Sequence, residues 1–203
     1  MEYDCFVQTY ETERIKTLSV WSMFADEDLR ARPHPLDRTD RNPLEHMVHQ
    51  CVSENKWFCT MLGIDVGAPP LPAVESRIEF IRRYAVDSGK RLSILKEKGK
   101  SWWEEHVKFF DVDRSRAWVM LRRIAHTAHH RGEQTVLLRL FGRKVHSVYG
   151  PAAESGGLPQ NGAVTLYAYL DIESLIEGEL KGGAKSELPG PGIGPCTGRP
   201  DEV

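Results

Sequence analysis

Ile124-Ala125-His126-Thr127-Ala128-His129-His130-Arg131-Gly132-Glu133 is the stretch that decides how this chain is read. It lies in a run from Asp113 to Phe141 with no proline and one interior glycine, a composition that predicts a single long helix. Residues four apart on a helix stack on one face, so His126 and His130 fall side by side. Two imidazoles so placed can bind one borderline metal ion if a third ligand arrives from another element. They can equally form a polar strip or a hydrogen-bonded core pair. Thr127 stands where the zinc-protease pattern needs its glutamate, so the pair does not suggest proteolysis. His129 points roughly 100° away from His130 and faces something else.

Composition sets the frame around this motif. The chain of 203 residues suits one well-buried core; it is 40% hydrophobic and 28% charged, with a formal net charge of −2. No apolar run approaches the roughly 20 residues needed to cross a bilayer. Acidic Glu2 and Asp4 and the lack of an apolar signal core make a cytoplasmic protein the expectation. Cys5, Cys51, Cys59 and Cys196 show no CxxC spacing and suggest neither a disulfide framework nor a zinc knuckle. Cys51 and Cys59, among Val48, Val52 and Leu62, read as small core residues.

Three further amphipathic segments precede the motif. The first runs from about Asp4 to Arg30, with Phe6, Tyr10, Leu18, Trp21, Phe24 and Leu29 at mostly helical intervals, and Pro33 and Pro35 close it. The second begins at Asn42-Pro43, a cap followed by a proline suited to the first helical position, and ends at Gly63. It carries Glu45, His46, His49 and Glu54. His46 and His49 border its apolar stripe on opposite sides, and periodicity does not say which turns inward. The third runs from about Pro72 to Lys98 across an interior Gly89. Trp102 to Phe110 reads as a turn of helix or an irregular segment over one end of the core, after which Asp111 or Asp113 can cap the long fourth segment. Ala163 to Tyr169 reads as one strand or a packed extended arm. Four long amphipathic segments with almost no strand make an all-α helix bundle. Connections of roughly ten residues exceed the usual 2–8, so simple up-and-down order does not follow. The bundle domain is expected over 1–175. The glycine- and proline-rich remainder, 176–203, is expected to be a disordered tail.

Three stretches together resemble the DinB-like family of four-helix-bundle metal proteins. They are His49-Gln50-Cys51-Val52-Ser53-Glu54 with Trp57, His126 to Gln134, and Leu138-Arg139-Leu140-Phe141-Gly142 leading to Tyr149-Gly150-Pro151. The resemblance implies a DinB-like four-helix bundle with an extended C-terminal segment. It implies that a histidine of the second segment joins the pair on the fourth, making His49, His126 and His130 the metal ligands and leaving His46 over. Three neutral imidazoles leave a coordination position open for water or substrate, and nitrogen donors suit zinc or nickel and accept iron or copper. Glu45 or Glu54 could orient a ligand from behind, or be a solvated charge.

Some members of the family look like thiol-dependent transferases. The resemblance therefore implies a metal-dependent hydrolase, or an S-transferase that brings a low-molecular-weight thiol of the bacillithiol or mycothiol type to a small electrophile. The alternative is a non-catalytic dimeric binding or stress-response module with a structural metal. A homodimer is expected, because relatives pair through their helices. Nucleic-acid binding is not expected: the seven arginines from Arg114 to Arg143 spread around the fourth segment and leave no basic face. Arg131 reads as a structural ion pair, and Tyr149 reads as a residue of the pocket mouth or of the packing. Trp57, Trp102, Trp103 and Trp118 read as core or interface.

Overall fold

A computed structural model describes residues 2–34 and 40–194. Four long helices carry it: α1 (Asp4–Met23), α2 (Pro43–Thr60), α3 (Arg77–Lys96) and, after a short α4 (Lys100–Glu104) and a two-stranded hairpin, α5 (Arg116–Leu140). The strands β1 (His106–Phe109) and β2 (Val112–Ser115) pair antiparallel, with Phe109 opposite Val112. A nine-residue helix, α6 (Ile172–Leu180), follows the long C-terminal loop. The all-α bundle expected from the four periodic segments is the fold of the chain.

Helix α1 packs against α3 and α5, and α2 packs against the same two. α1 and α2 therefore face one another across the centre, which is what the long α1–α2 connection permits. Side chains meet across that diagonal: Tyr10 donates to Glu54 at 2.7 Å, and Trp21 Nε1 donates to Gln50 at 3.1 Å.

The local chemistry sets the helix ends. Asn42 Oδ1 accepts from the Glu45 amide at 2.9 Å while Glu45 Oε2 accepts from the Asn42 amide at 2.8 Å, a reciprocal cap that fixes the start of α2. Gly63, at φ +66°, terminates it. The long helix starts later than the sequence predicts. Val112 to Ser115 pair with β1, and Ser115, not Asp111 or Asp113, supplies the cap, its Oγ accepting from the Trp118 amide at 3.2 Å. Similarly α1 stops at Met23, before a 3-10 turn over Asp26–Asp28, and α3 begins at Arg77, five residues after Pro72. Gly89 lets Arg14 cross α3: a Cβ there would stand 3.1 Å from Arg14 Nη2, which donates to the Ala85 carbonyl.

Apolar residues gather in two clusters towards opposite ends of the bundle. One contains Leu18, Trp21, Met47, Phe80, Ile81 and Leu138; the other contains Tyr10, Trp57, Phe58, Leu92, Trp103 and Met120. Between them, at mid-height on all four helices, runs a belt of buried polar groups: Glu13 and Thr17 on α1, Glu54 on α2, Asp87 and Arg91 on α3, and Arg123, His130 and Arg131 on α5. Burying charge is costly unless it is paired. Here Glu54 accepts from Tyr10, Tyr84 (2.9 Å) and Arg91 (3.2 Å), with Arg123 at 4.0 Å, and Glu13 pairs with Arg131.

The expected domain boundary at 175 falls inside α6, which Asp171 caps and whose Leu175 is fully buried against the first cluster. Glu179 anchors its end, accepting from Tyr169 at 2.6 Å and Lys185 at 2.8 Å and pairing with Arg77. Residues 163–169 form an extended arm and no strand, with the Ser147 amide donating to the Leu166 carbonyl at 2.9 Å. Beyond α6, Ser186 O lies 3.0 Å from His146 Nε2, and the Gly190 amide donates to Glu154 O. The tail from 195 onward, with Cys196, and the loop at Pro35 lie outside the described residues. No helix among those described is long and apolar enough to cross a membrane.

Candidate metal centre

Helices α2 and α5 pass each other at the polar belt, and their histidines meet there. Nε2 of His126 lies 3.2 Å from Nε2 of His130. The His49 ring is centred 4.6 Å from that of His130 and 5.4 Å from that of His126. One ring nitrogen from each of the three lies within 4.8 Å of the others. His130 is buried and the other two are half-buried, so the group faces outward on one side. Trp57, its ring 5.5 Å from that of His126, packs behind.

Electrostatics keep these rings in the ligand form. Burial, then the Arg123 charge, lowers His126 to about 3; burial, then Arg41, lowers His49 to about 4. Burial lowers His130 too, against the upward pull of Glu133. At neutral pH all three are neutral imidazoles with a free nitrogen lone pair, as metal binding requires.

The residues fit an ion. Tetrahedral bonds of roughly 2.0–2.1 Å place donor atoms about 3.3 Å apart, close to the His126–His130 spacing of 3.2 Å. Two neutral ring nitrogens aimed at each other otherwise need a proton between them. The donor set is all nitrogen, which suits zinc or nickel over calcium or magnesium.

Glu133 went unread in the sequence. Its Oε2 lies 2.7 Å from His130 Nδ1, and its Oε1 lies 3.2 Å from His129 Nε2. Burial would raise its pKa, but the His130 hydrogen bond and the neighbouring histidines bring it below the ordinary carboxylate value. The carboxylate therefore accepts a hydrogen bond from His130 Nδ1–H and leaves Nε2 free, the usual support of a ligating histidine. The signal was present: Glu133 is three residues past His130, on the same face. Glu45 and Glu54 do not take that role. Glu45 caps α2 and pairs with Arg32 at 2.5 Å, and Glu54 is buried, not solvated, in the Tyr10–Tyr84–Arg91 network.

His46, left over in the sequence reading, is buried to 3% exposure with its ring 5.7 Å from that of His130. Burial brings it to about 4. His34 is an exposed loop residue. Arg131 points away from the histidines to α1, pairing with Glu13 and donating to Thr17 at 2.9 Å. Tyr149 joins the same group, donating to Glu13 at 2.8 Å beneath Lys16. Trp103 is core, Trp57 lines the centre, and Trp118 is partly exposed. Cys51 is buried, Cys59 half-buried and Cys5 exposed.

Two cavities flank the centre. One of about 400 Å³ is lined by His46, Glu133, Asp40, Arg41 and Leu137; the other, of about 460 Å³, by His49, Glu45, Val48, Val52 and Glu75.

Solved structures that this chain resembles include two DinB-like proteins. One, from Bacillus cereus ATCC 10987, is 20% identical with a TM-score of 0.60, over 71% of this chain and 95% of that one. The other, from Bacillus subtilis, is 12% identical with a TM-score of 0.56, over 71% of this chain and 96% of that one. At these identities the likeness is one of fold. A comparison with curated proteins finds no match. The family model for the DinB family matches residues 2–162, nearly the whole bundle with the histidine-bearing helices inside it. The chain belongs to the DinB family.

Proposed function

We propose that the chain holds a divalent metal ion, zinc or nickel, on His49, His126 and His130. On this reading the remaining coordination position serves a small electrophile, in a metal-dependent hydrolase or in an S-transferase using a thiol of the bacillithiol or mycothiol type. The observation that carries this is the convergence of three neutral imidazoles, one ring nitrogen from each within 4.8 Å of the others, on a half-buried face. The family is generally metal-binding. An ion there supplies acidification of a bound water, or retention of a bound thiol as its thiolate.

The chain's own residues do the rest. Glu133 accepts the hydrogen bond from His130 Nδ1–H and so aims Nε2. Trp57 shields the inner side of His126 from water. Arg123, donating to Thr127 at 2.8 Å and Ser53 at 2.9 Å, links α5 to α2 beneath the rings and adds its charge to burial in keeping His126 neutral. The flanking cavities admit a small molecule, with Arg41 exposed at one of them.

The test compares zinc- or nickel-loaded and metal-free protein on a panel of small electrophiles, with water or a thiol as acceptor. Turnover that follows metal content, while the melting temperature barely moves, supports the enzyme. A second reading is a non-catalytic homodimer with a structural metal. It draws on Leu121, Val136 and Leu140, exposed apolar residues along α5. A sharp fall in melting on metal removal, a dimer in solution and no turnover would favour it.

A further inference from the structure

His130 turns only one nitrogen to His49 and His126. Its other nitrogen, Nδ1, faces a separate group of donors on the opposite side of the ring. There one ligand atom each from His46, His130 and Glu133 lies within 4.8 Å of the others. Glu133 Oε2 is 2.7 Å from His130 Nδ1 and 3.9 Å from His46 Nδ1. We propose a second divalent-cation site at His46, Glu133 and His130, which shares the His130 ring with the first.

The independent observation is His46. Its side chain is 4% exposed, and its Nδ1 is buried with no hydrogen-bond partner among the described residues. A buried polar atom without a partner costs roughly 1–3 kcal/mol, so most such atoms in folded proteins are satisfied. This one points at a carboxylate oxygen too distant for a hydrogen bond, and a cation between them satisfies both. Two imidazoles and one carboxylate form a donor set used for zinc. The adjoining cavity of about 400 Å³, which His46 and Glu133 line, gives an ion access and leaves room for waters to complete its shell. The Arg41 charge nearby, and the first ion across the ring, both weaken binding, so this site fills second.

Entry of the second ion breaks the Nδ1–H bond of His130 and forms a bond from Nδ1 to the metal. The proton passes to the buffer, and no oxidation state changes. With both nitrogens ligated, the ring is an imidazolate bridging two cations. The proposal rests on the first site only through that shared ring.

The experiment uses the full chain, freed of metal and dialysed against excess zinc, with bound metal measured by elemental analysis. Wild type is expected to hold two zinc ions per chain, H46Q and E133Q one, and H49Q one. Copper(II) gives a second readout: the electron paramagnetic resonance signal of the first equivalent should fall as the second enters, because the bridge couples the spins. In H46Q it should persist. If H46Q fails to fold, E133Q, altered at a partly exposed position, carries the comparison. Wild type saturating at one ion that H49Q abolishes would overturn the second site and leave the first standing. No zinc in wild type would overturn both. Two ions retained in both H46Q and E133Q would place the second ion elsewhere and overturn the proposal.

Discussion

His130 Nδ1 and Glu133 Oε2 stand 2.7 Å apart, one helical turn along α5. This contact leaves Nε2 of His130 as the free nitrogen for the proposed first site. Glu133→Gln keeps the shape but can present an amide N–H to the ring in place of an acceptor. We expect it to weaken zinc at the first site by about 10–100-fold, the usual effect of removing such support. Competition with a chromophoric chelator measures it, and an unchanged affinity would remove Glu133 from the account.

Glu54 sits at the centre of the polar belt, held by Tyr10, Tyr84 and Arg91. Glu54→Ala leaves Arg91 buried without its carboxylate, and Arg123 loses its neighbour at 4.0 Å. Breaking a buried pair from one side costs about 3–5 kcal/mol. Urea unfolding of metal-free protein should show that loss. A change below about 1 kcal/mol would mean that water enters the belt and solvates these groups.

Glu179 fixes the sign of one pH effect. Burial raises its pKa, but hydrogen bonds from Lys185, Tyr169 and Arg77 outweigh burial and lower it from the ordinary value of 4.5. A carboxylate with a depressed folded pKa contributes stability above its unfolded pKa and loses it as pH falls through the folded one. Wild type should therefore lose stability below about pH 4.5, where the unfolded chain takes up the proton first. Glu179→Gln should be less stable at pH 7, with the difference narrowing towards pH 3. A gap that stays constant with pH would show that the carboxylate charge contributes nothing to docking α6.

Phe110, at φ +55°, is the non-glycine residue held in left-handed backbone among those described, and it is 66% exposed. That conformation costs an L-residue roughly 1–2 kcal/mol, and glycine adopts it freely. Phe110→Gly should raise unfolding free energy by about 1 kcal/mol, less the contact its ring makes with Phe109 at 4.8 Å. A clear loss of stability would show that this ring packs more than its exposure suggests.

What could be read from the sequence follows from length and period. Four long segments with helical spacing gave α1, α2, α3 and α5, because each buries a stripe along many turns. His126 and His130 were legible for the same reason. The choice between His46 and His49 was not, since both border the stripe of α2 and both turn out to lie beside His130. The β1–β2 hairpin escaped because each strand has only four residues, with burial too shallow to mark an alternation. α6 escaped because nine residues amid glycines and charges look like loop, although Asp171 caps it and Leu175 anchors it. Glu133 carries no role in the sequence reading, although it stands on the His130 face. Only the approach of α2, bringing His46 and His49, shows what its carboxylate faces.

The most direct measurement is zinc X-ray absorption on the full chain loaded with one equivalent. Three imidazole nitrogens and one exchangeable water oxygen at about 2.0–2.1 Å are the expected shell, with the imidazole count falling in His49→Gln. A shell of sulfur or of carboxylate oxygen, or one unchanged by that substitution, would contradict the convergence of His49, His126 and His130 on one ion.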